Sequence, residues 1–167
     1  MSKKQSFTAI DFDFGIGKII PATQEAHHGD GFDGQVRKTE KEDLSNFKNI
    51  LASQLDSELS SNEQFPSDGE VFVFIVQYFA TEKEYMRRDV DNMAKTILDV
   101  LGSRFYRDDS QVKTLLVGKK LEKRVPQNFA YVAIKRLNVS QDVDALKISG
   151  LERSVTMFQE LKSKKVL

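Results

Sequence analysis

The chain of 167 residues carries 25 basic and 25 acidic side chains, has a formal net charge of zero and is 40% hydrophobic. This length and composition predict one domain with an apolar core, with room for an appended tail. Because the sequence contains no Cys and only two His, disulfides and thiolate metal sites are excluded. It has no signal-peptide pattern and no apolar run long enough to span a bilayer, so the protein is predicted to be cytoplasmic.

The charged residues are unevenly distributed although they cancel overall. Residues 1–80 hold 7 basic and 13 acidic side chains, whereas residues 81–136 hold 13 basic and 8 acidic ones. A basic half on a neutral chain indicates a local surface for a polyanion. A solvated basic face is the simpler explanation of this asymmetry taken alone.

The first half of the chain predicts a strand, a loop and a helix. Alternation of apolar and acidic residues over 7–14 is typical of a strand with one buried face. Residues 15–37 form a Gly-rich loop, whose His27 and His28 could bind a metal or a phosphate, although such a pair is more often simply exposed. Apolar residues three and four apart over 40–59 predict an amphipathic helix with Thr39 as its N-cap.

The second half predicts a buried strand, a helix and two more strands. The apolar, β-branched run Val71–Phe79 predicts a central strand covered on both faces. After a charged connector at residues 82–88, a second amphipathic helix is predicted at residues 89–101. Strands are then predicted at residues 112–117 and 129–137, joined as a hairpin by a projecting basic loop.

The predicted order is strand, helix, strand, helix, strand, strand. This order fits an α/β (α+β) fold in which a single mixed β-sheet is packed with helices. Residues 1–138 are expected to form this domain. Residues 139–167 carry apolar residues at helical spacing and are expected to form an accessory C-terminal helical tail.

Two pairs of acidic residues flank the second predicted helix. Asp89 and Asp91 stand at its start, where backbone N–H groups favour negative charge, and Asp108 and Asp109 follow its end. Carboxylates gathered in this way could hold a divalent cation for phosphodiester hydrolysis. In a chain without Cys that cation would be a hard one such as Mg2+ or Mn2+. For the two pairs to meet, the chain after Gly102 must fold back along the helix.

The same acids also have an ordinary structural explanation. Asp89 suits the N-cap position of a helix, and Asp108 and Asp109 suit a turn. Lys95 lies one helical turn after Asp91, which favours a functional site. The spacing alone leaves both interpretations open.

A longer pattern around these acids resembles the RusA family of Holliday junction resolvases. Residues 88–92 read Arg-Asp-Val-Asp-Asn, Lys95 stands four positions after the second Asp, and residues 108–112 read Asp-Asp-Ser-Gln-Val. The family pattern is Arg-Asp-Leu-Asp-Asn, a Lys one turn later, and an Asp-Asp-Ser/Ala-Gln-Val segment further on. This motif-level similarity covers residues 87–113, and the predicted order of elements over residues 7–137 is compatible with it.

The resemblance implies a homodimeric endonuclease that depends on Mg2+, with Mn2+ as a possible substitute. Such an enzyme would resolve four-way DNA junctions by paired symmetric cuts, in recombination and repair. On this resemblance Asp89, Asp91 and Asp109 match the metal-binding aspartates, Asp108 is the adjacent acid of that set, and Lys95 matches the catalytic lysine. The residues expected to engage DNA phosphates are Arg87, Arg88, Lys113, Lys119, Lys120, Lys123 and Arg124.

The sequence departs from the family pattern in its loop and its tail, and three alternatives stay open. Many members have a Pro-rich segment and a basic loop where this chain has the acidic, Gly-rich loop with His27 and His28, and the tail exceeds the family core. One alternative is a nuclease for branched or flapped DNA without resolvase symmetry. Another is a catalytically inactive DNA-binding module, although none of the family's Asp or Lys residues is missing. The last is a structural or partner-binding protein whose acids are only caps and ion pairs.

Overall fold

The computed structural model describes residues 10–23 and 34–137, without the side chains of residues 34–41. His27, His28 and the predicted tail at residues 139–167 lie outside this part of the chain. Within it, no helix is long and apolar enough to cross a membrane. The elements, in chain order, are β1 (Phe12–Ile16), α1 (Gly34–Leu59), β2 (Val71–Phe79), α2 (Glu82–Met86), α3 (Val90–Leu101), a 3₁₀ turn (Asp109–Gln111), β3 (Val112–Leu121) and β4 (Phe129–Arg136).

The four strands form one mixed sheet with β2 in its interior. The strand order is β1–β4–β2–β3. β2 is parallel to β3 and antiparallel to β4, and β4 is antiparallel to β1. β2 covers the predicted range and is largely buried on both faces. The predicted α+β fold with a single mixed sheet is therefore confirmed.

The predicted hairpin between the last two strands is wrong. β2 lies between β3 and β4, and the segment after β3 crosses the end of β2, where the Glu122 N–H donates to the Phe79 carbonyl oxygen at 2.9 Å. β3 also runs on to Leu121, so Lys119 and Lys120 lie in the strand and not in a loop. The apolar β2 strand is stabilised between two neighbours because both of its edges then pair their backbone groups away from water.

One face of the sheet carries α1 and α3. The two helices and the inward residues of the strands share one apolar core, which includes Phe47, Leu51, Leu55, Val73, Ile75, Met93, Ile97 and Leu101. Ion pairs join the same elements at the surface: Lys48 to Asp99 at 2.7 Å, and Arg104, just after α3, to Asp56 at 2.7 Å. These ion pairs join α3 and the segment after it to α1.

The helix predicted from residue 40 begins earlier. α1 starts at Gly34, so Thr39 lies inside the helix and is not its N-cap. No Pro occurs between residues 34 and 40, and the residues that follow Gly34 can all be accommodated in a helix. A good capping residue therefore does not start a helix when the preceding residues can extend it.

The remaining differences are small. β1 spans Phe12–Ile16, whereas residues 7–9 of the predicted strand lie outside the described part of the chain. The predicted alternation holds in β1, since Phe14 and Ile16 are buried and Asp13 is exposed. The charged connector after β2 contains the short helix α2, whose N-cap Thr81 accepts a hydrogen bond from the Glu84 N–H.

Candidate active site

The first acidic pair lies at the exposed N-terminus of α3. Asp89 occupies the N-cap position, yet its side chain makes no capping hydrogen bond. Asp91 lies in the first turn, and both side chains are exposed. The capping explanation therefore does not account for the Asp89 carboxylate, which is left available in a position where the helix dipole favours negative charge.

Lys95 lies one turn further along the same face of α3 and is also exposed. Residues four apart on a helix are neighbours, yet Asp91 and Lys95 form no ion pair within the described part of the chain. Asp99, the next residue on this stripe, differs because its carboxylate binds Lys48 at 2.7 Å. The stripe thus presents an acid and a lysine without partners among the described residues, followed by an acid that does have one. Asp89 lies just before this stripe, at the N-cap.

Lys119 on β3 anchors the loop before α3 through hydrogen bonds to its backbone. Its ammonium donates hydrogen bonds to the carbonyl oxygens of Tyr85 at 2.9 Å and Arg88 at 2.7 Å. It also lies 4.5 Å from the centre of the Tyr85 ring, which is within range of a cation–π contact. Since Arg88 immediately precedes Asp89, β3 positions the first acidic pair through this side chain.

The second acidic pair opens the 3₁₀ turn before β3. The Asp108 carboxylate accepts a hydrogen bond from the Ser110 N–H at 2.8 Å, and the Asp108 N–H donates to the Gln111 Oε1 atom at 3.0 Å, which completes a capping box. The hydrogen bonds from Ser110 hold the pKa of Asp108 below its ordinary value. Asp109 is exposed and has no such partner within the described residues. Of this pair, Asp109 is therefore the acid left available for a ligand.

Gln111 was not recognised from the sequence as a site-positioning residue. Its side-chain amide donates to the carbonyl oxygens of Ser67 at 2.9 Å and Gly69 at 2.8 Å, which anchors the turn to the segment before β2. The spacing of Asp108 and Gln111 is the signature of a capping box, and that signal was present in the sequence. The anchoring role of Lys119 has no such local signature.

Asp109 lies at the C-terminal end of α3. Its Oδ1 atom is 4.0 Å from the position that a Cβ atom on Gly102, the C-cap of α3, would occupy. The Tyr106 hydroxyl donates to the carbonyl oxygen of Leu98 at 3.1 Å, close to the same end. Burial, followed by the charges of Asp109 and Asp99, raises the pKa of Tyr106 above its usual range.

The structure does not bring the two acidic pairs together. α3 has 12 residues, so its ends lie about 18 Å apart at 1.5 Å per residue. The parallel register agrees, since β3 begins beside Val71 near the Asp109 end and reaches Lys119, bound to the Arg88 carbonyl, near the other end. Across residues 10–23 and 34–137, no three His, Asp or Glu side chains lie close enough to hold a metal ion. The chain after Gly102 does not fold back along the helix.

The basic residues predicted to bind DNA divide into two groups. Arg87, Lys120 and Lys123 are exposed at the end of the sheet that carries Asp89. The others make contacts within the chain: Lys119 as above, Lys113 with Glu70 at 3.0 Å, and Arg124 with Glu122 at 2.8 Å. Arg88 also has a partner.

Comparison with known proteins adds one finding. The family model described as Endodeoxyribonuclease RusA matches residues 21–134, a range that includes both acidic pairs and runs from the segment after β1 almost to the end of β4. A search among curated proteins finds no significant match.

Proposed function

The chain belongs to the RusA family of endodeoxyribonucleases, and on that premise we propose that it resolves four-way DNA junctions. The reaction is the hydrolysis of two phosphodiester bonds, placed symmetrically about the branch point, as recombination and repair require. A two-fold homodimer suits this task because a junction offers two equivalent scissile phosphates. One observation carries the proposal: inside the matched region Asp89 is exposed at the N-cap of α3, Asp91 and Lys95 are exposed on one face of the helix, and no partner among the described residues accounts for them.

The acidic residues suit a hard divalent cation in their chemistry but not in their placement within one chain. Asp89 and Asp91 offer carboxylate oxygens, which Mg2+ and Mn2+ prefer. Asp109 is a helix length away and does not fit as a third ligand of the same ion in the same chain. When bound, such a cation would supply Lewis acidity at the phosphoryl oxygens.

The remaining residues have roles that follow from their charge and exposure. Lys95 places an ammonium one turn from Asp91, where it would stabilise negative charge that develops on the scissile phosphate. Arg87, Lys120 and Lys123, exposed at the same end of the sheet, would bind backbone phosphates on either side. Lys119 contributes by holding the Asp89 loop rather than by reaching DNA.

The test is cleavage of a synthetic four-way junction in the presence of Mg2+. We expect the unmodified protein to make two symmetric nicks and Asp91→Asn to lose roughly 100-fold or more of the rate, because one of the two carboxylates that would hold the cation at the reacting phosphate is removed. Asp99→Asn is the matched control. It removes an exposed carboxylate from the same helix face, but one that binds Lys48, and we expect it to cleave at the unmodified rate.

Three outcomes would contradict the proposal. Equal activity in Asp91→Asn would remove this site from the reaction. Cuts on flapped DNA without symmetric cuts on the junction would favour a branched-DNA nuclease. Tight junction binding without cleavage by the unmodified protein would favour a DNA-binding module.

A further inference from the structure

The sheet has a second face, which points away from α1 and α3. Because side chains alternate along a strand, residues 72, 74, 76 and 78 of β2 and residues 129, 131, 133 and 135 of β4 point to this outer face. Register places Phe72 beside Lys135 and Phe74 beside Ala133. A separate apolar cluster lies here, to which no described helix contributes, and it consists of Phe72, Leu137, Phe74 and Leu116.

Part of the outer face is nevertheless covered. Phe72 is fully buried, and Ala133 and Lys135 are only 2% and 3% exposed. A sheet face that meets water leaves its side chains partly exposed, and a lysine on it keeps its ammonium in the solvent. Neighbours within the sheet shield the sides of these residues but not their outer ends. The burial therefore requires a further layer, which none of the described helices provides.

We propose that this layer is the chain's own C-terminal segment, residues 138–167, which packs on the outer face as a helix. The chain leaves β4 towards this segment through Leu137, which already belongs to the apolar cluster of the outer face. Apolar residues then recur at intervals of four and three, as on one face of a helix: Leu151, Val155, Phe158 and Leu161. The inference does not depend on the proposed function.

The lengths of the segment and of the sheet suit this arrangement. Residues 151–167 would form a helix about 25 Å long at 1.5 Å per residue. β2 has nine residues and is about 30 Å long at 3.3 Å per residue. The connection, residues 138–150, can span up to about 45 Å, so the helix can reach any part of its own outer face. A tethered segment also has an advantage over a separate molecule, because the tether keeps its local concentration high.

The test compares two adjacent substitutions in the full chain, Val155→Asp and Thr156→Asp. Both place a carboxylate at a β-branched position, but neighbouring positions on a helix lie about 100° apart, so only Val155 belongs to the apolar stripe. Hydroxyl-radical footprinting with mass spectrometry measures how fast each aromatic side chain is oxidised. Phe72 reports on the outer face, and Phe105, which is equally buried in the core under α1 and α3, is the internal control.

The proposed helix predicts a rise at one of the two reporters only. We expect Val155→Asp to raise the oxidation rate of Phe72 several-fold and to leave that of Phe105 unchanged, because the carboxylate displaces the helix from an apolar surface. Thr156→Asp should leave both rates unchanged. An unchanged rate at Phe72 in Val155→Asp would overturn the inference. If Val155→Asp exposes both reporters, the milder Val155→Ser decides by the same two rates.

A mixing experiment tests whether the helix covers its own chain or a second copy. Unsubstituted chains labelled with heavy isotopes and unlabelled Val155→Asp chains are unfolded in urea and refolded together, so that the mass of each oxidised peptide identifies its chain. We expect faster oxidation of Phe72 in the unlabelled chains alone. Faster oxidation in the labelled chains as well would show exchange of the segment between copies and would overturn the inference. Rapid oxidation of Phe72 in the unsubstituted protein that slows only when junction DNA is added would assign the outer face to DNA instead.

Discussion

At the scale of single residues, Lys119 and Lys120 are adjacent lysines with different surroundings. The Lys119 ammonium is half-buried and bonded to two carbonyl oxygens, whereas Lys120 is exposed. We expect Lys119→Met to lower the free energy of unfolding by about 1–3 kcal/mol, because both carbonyls lose their donor. We expect Lys120→Met to change it by less than about 0.5 kcal/mol. Urea denaturation measures both values.

For DNA binding, we expect the larger effect in Lys120→Met and the smaller one in Lys119→Met. Loss of a phosphate contact reduces the slope of log affinity against log salt concentration by about 1. We expect that reduction in Lys120→Met and an unchanged slope in Lys119→Met, from titrations of a four-way junction at several salt concentrations. A reduced slope in Lys119→Met with unchanged stability would assign Lys119 to DNA instead.

The exposed Arg124 forms an ion pair with the half-buried Glu122, and the pair shifts the pKa of both groups. Arg124 donates from Nε and Nη2 to the two carboxylate oxygens at 2.8 Å each. These bonds lower the pKa of Glu122 to about 2, and they raise the pKa of Arg124. Because the folded pKa is depressed, any stabilisation from the pair is fully present above the ordinary pKa of 4.5 and is lost as the pH falls towards about 2.

Carbon-13 NMR titration of the Glu122 carboxyl group checks this prediction. We expect a midpoint near 2 in the unmodified protein and a return towards the ordinary range in Arg124→Gln, because the hydrogen bonds of Arg124 are the main cause of the shift. Lys120→Met is the control, since Lys120 contributes the smallest effect and should move the midpoint much less. Equal midpoints in the two variants would contradict the assignment to Arg124.

At the scale of elements, α1 has a buried face and an exposed face, and substitutions on the two faces are expected to change stability by different amounts. Leu55 is fully buried in the core, whereas Ile50 is 62% exposed. We expect Leu55→Ala to lower the free energy of unfolding by about 2–5 kcal/mol, through lost burial and the cavity that remains. Ile50→Ala should change it by less than about 0.5 kcal/mol. Thermal or urea unfolding gives both values, and similar losses in the two variants would mean that Ile50 is covered in solution.

The elements themselves were largely predictable because their signals are local. β2 could be assigned from an unbroken apolar run, and α3 from its apolar spacing and the Asp before it. The start of α1 was missed because Thr39 is a good cap that the helix does not use. The sequence does not predict the full extent of β3, because Lys119 looks like a loop residue in sequence, whereas its side chain is half-buried and its ammonium donates to backbone carbonyl oxygens.

At the scale of the whole molecule, the pairing and direction of the strands could not be predicted from local sequence patterns. Nothing in residues 112–137 indicates that β2 lies between β3 and β4, because strand order depends on pairing between segments that are far apart in sequence. The arrangement of the acidic residues could not be predicted from local sequence patterns either. Sequence proximity of Asp91 and Asp109 suggested a single cluster, but a rigid helix between them keeps them at opposite ends.

The exposed N-terminus of α3 also has a consequence for how much protein a cell must contain before a junction is resolved. Each chain presents one set of Asp89, Asp91 and Lys95, whereas a junction must be cut twice. If junction resolution is the function, a lone chain cuts one strand and leaves the junction joined. Below the dissociation constant of the proposed dimer, the number of dimers falls with the square of the chain concentration, so resolution would rise steeply once expression passes a threshold.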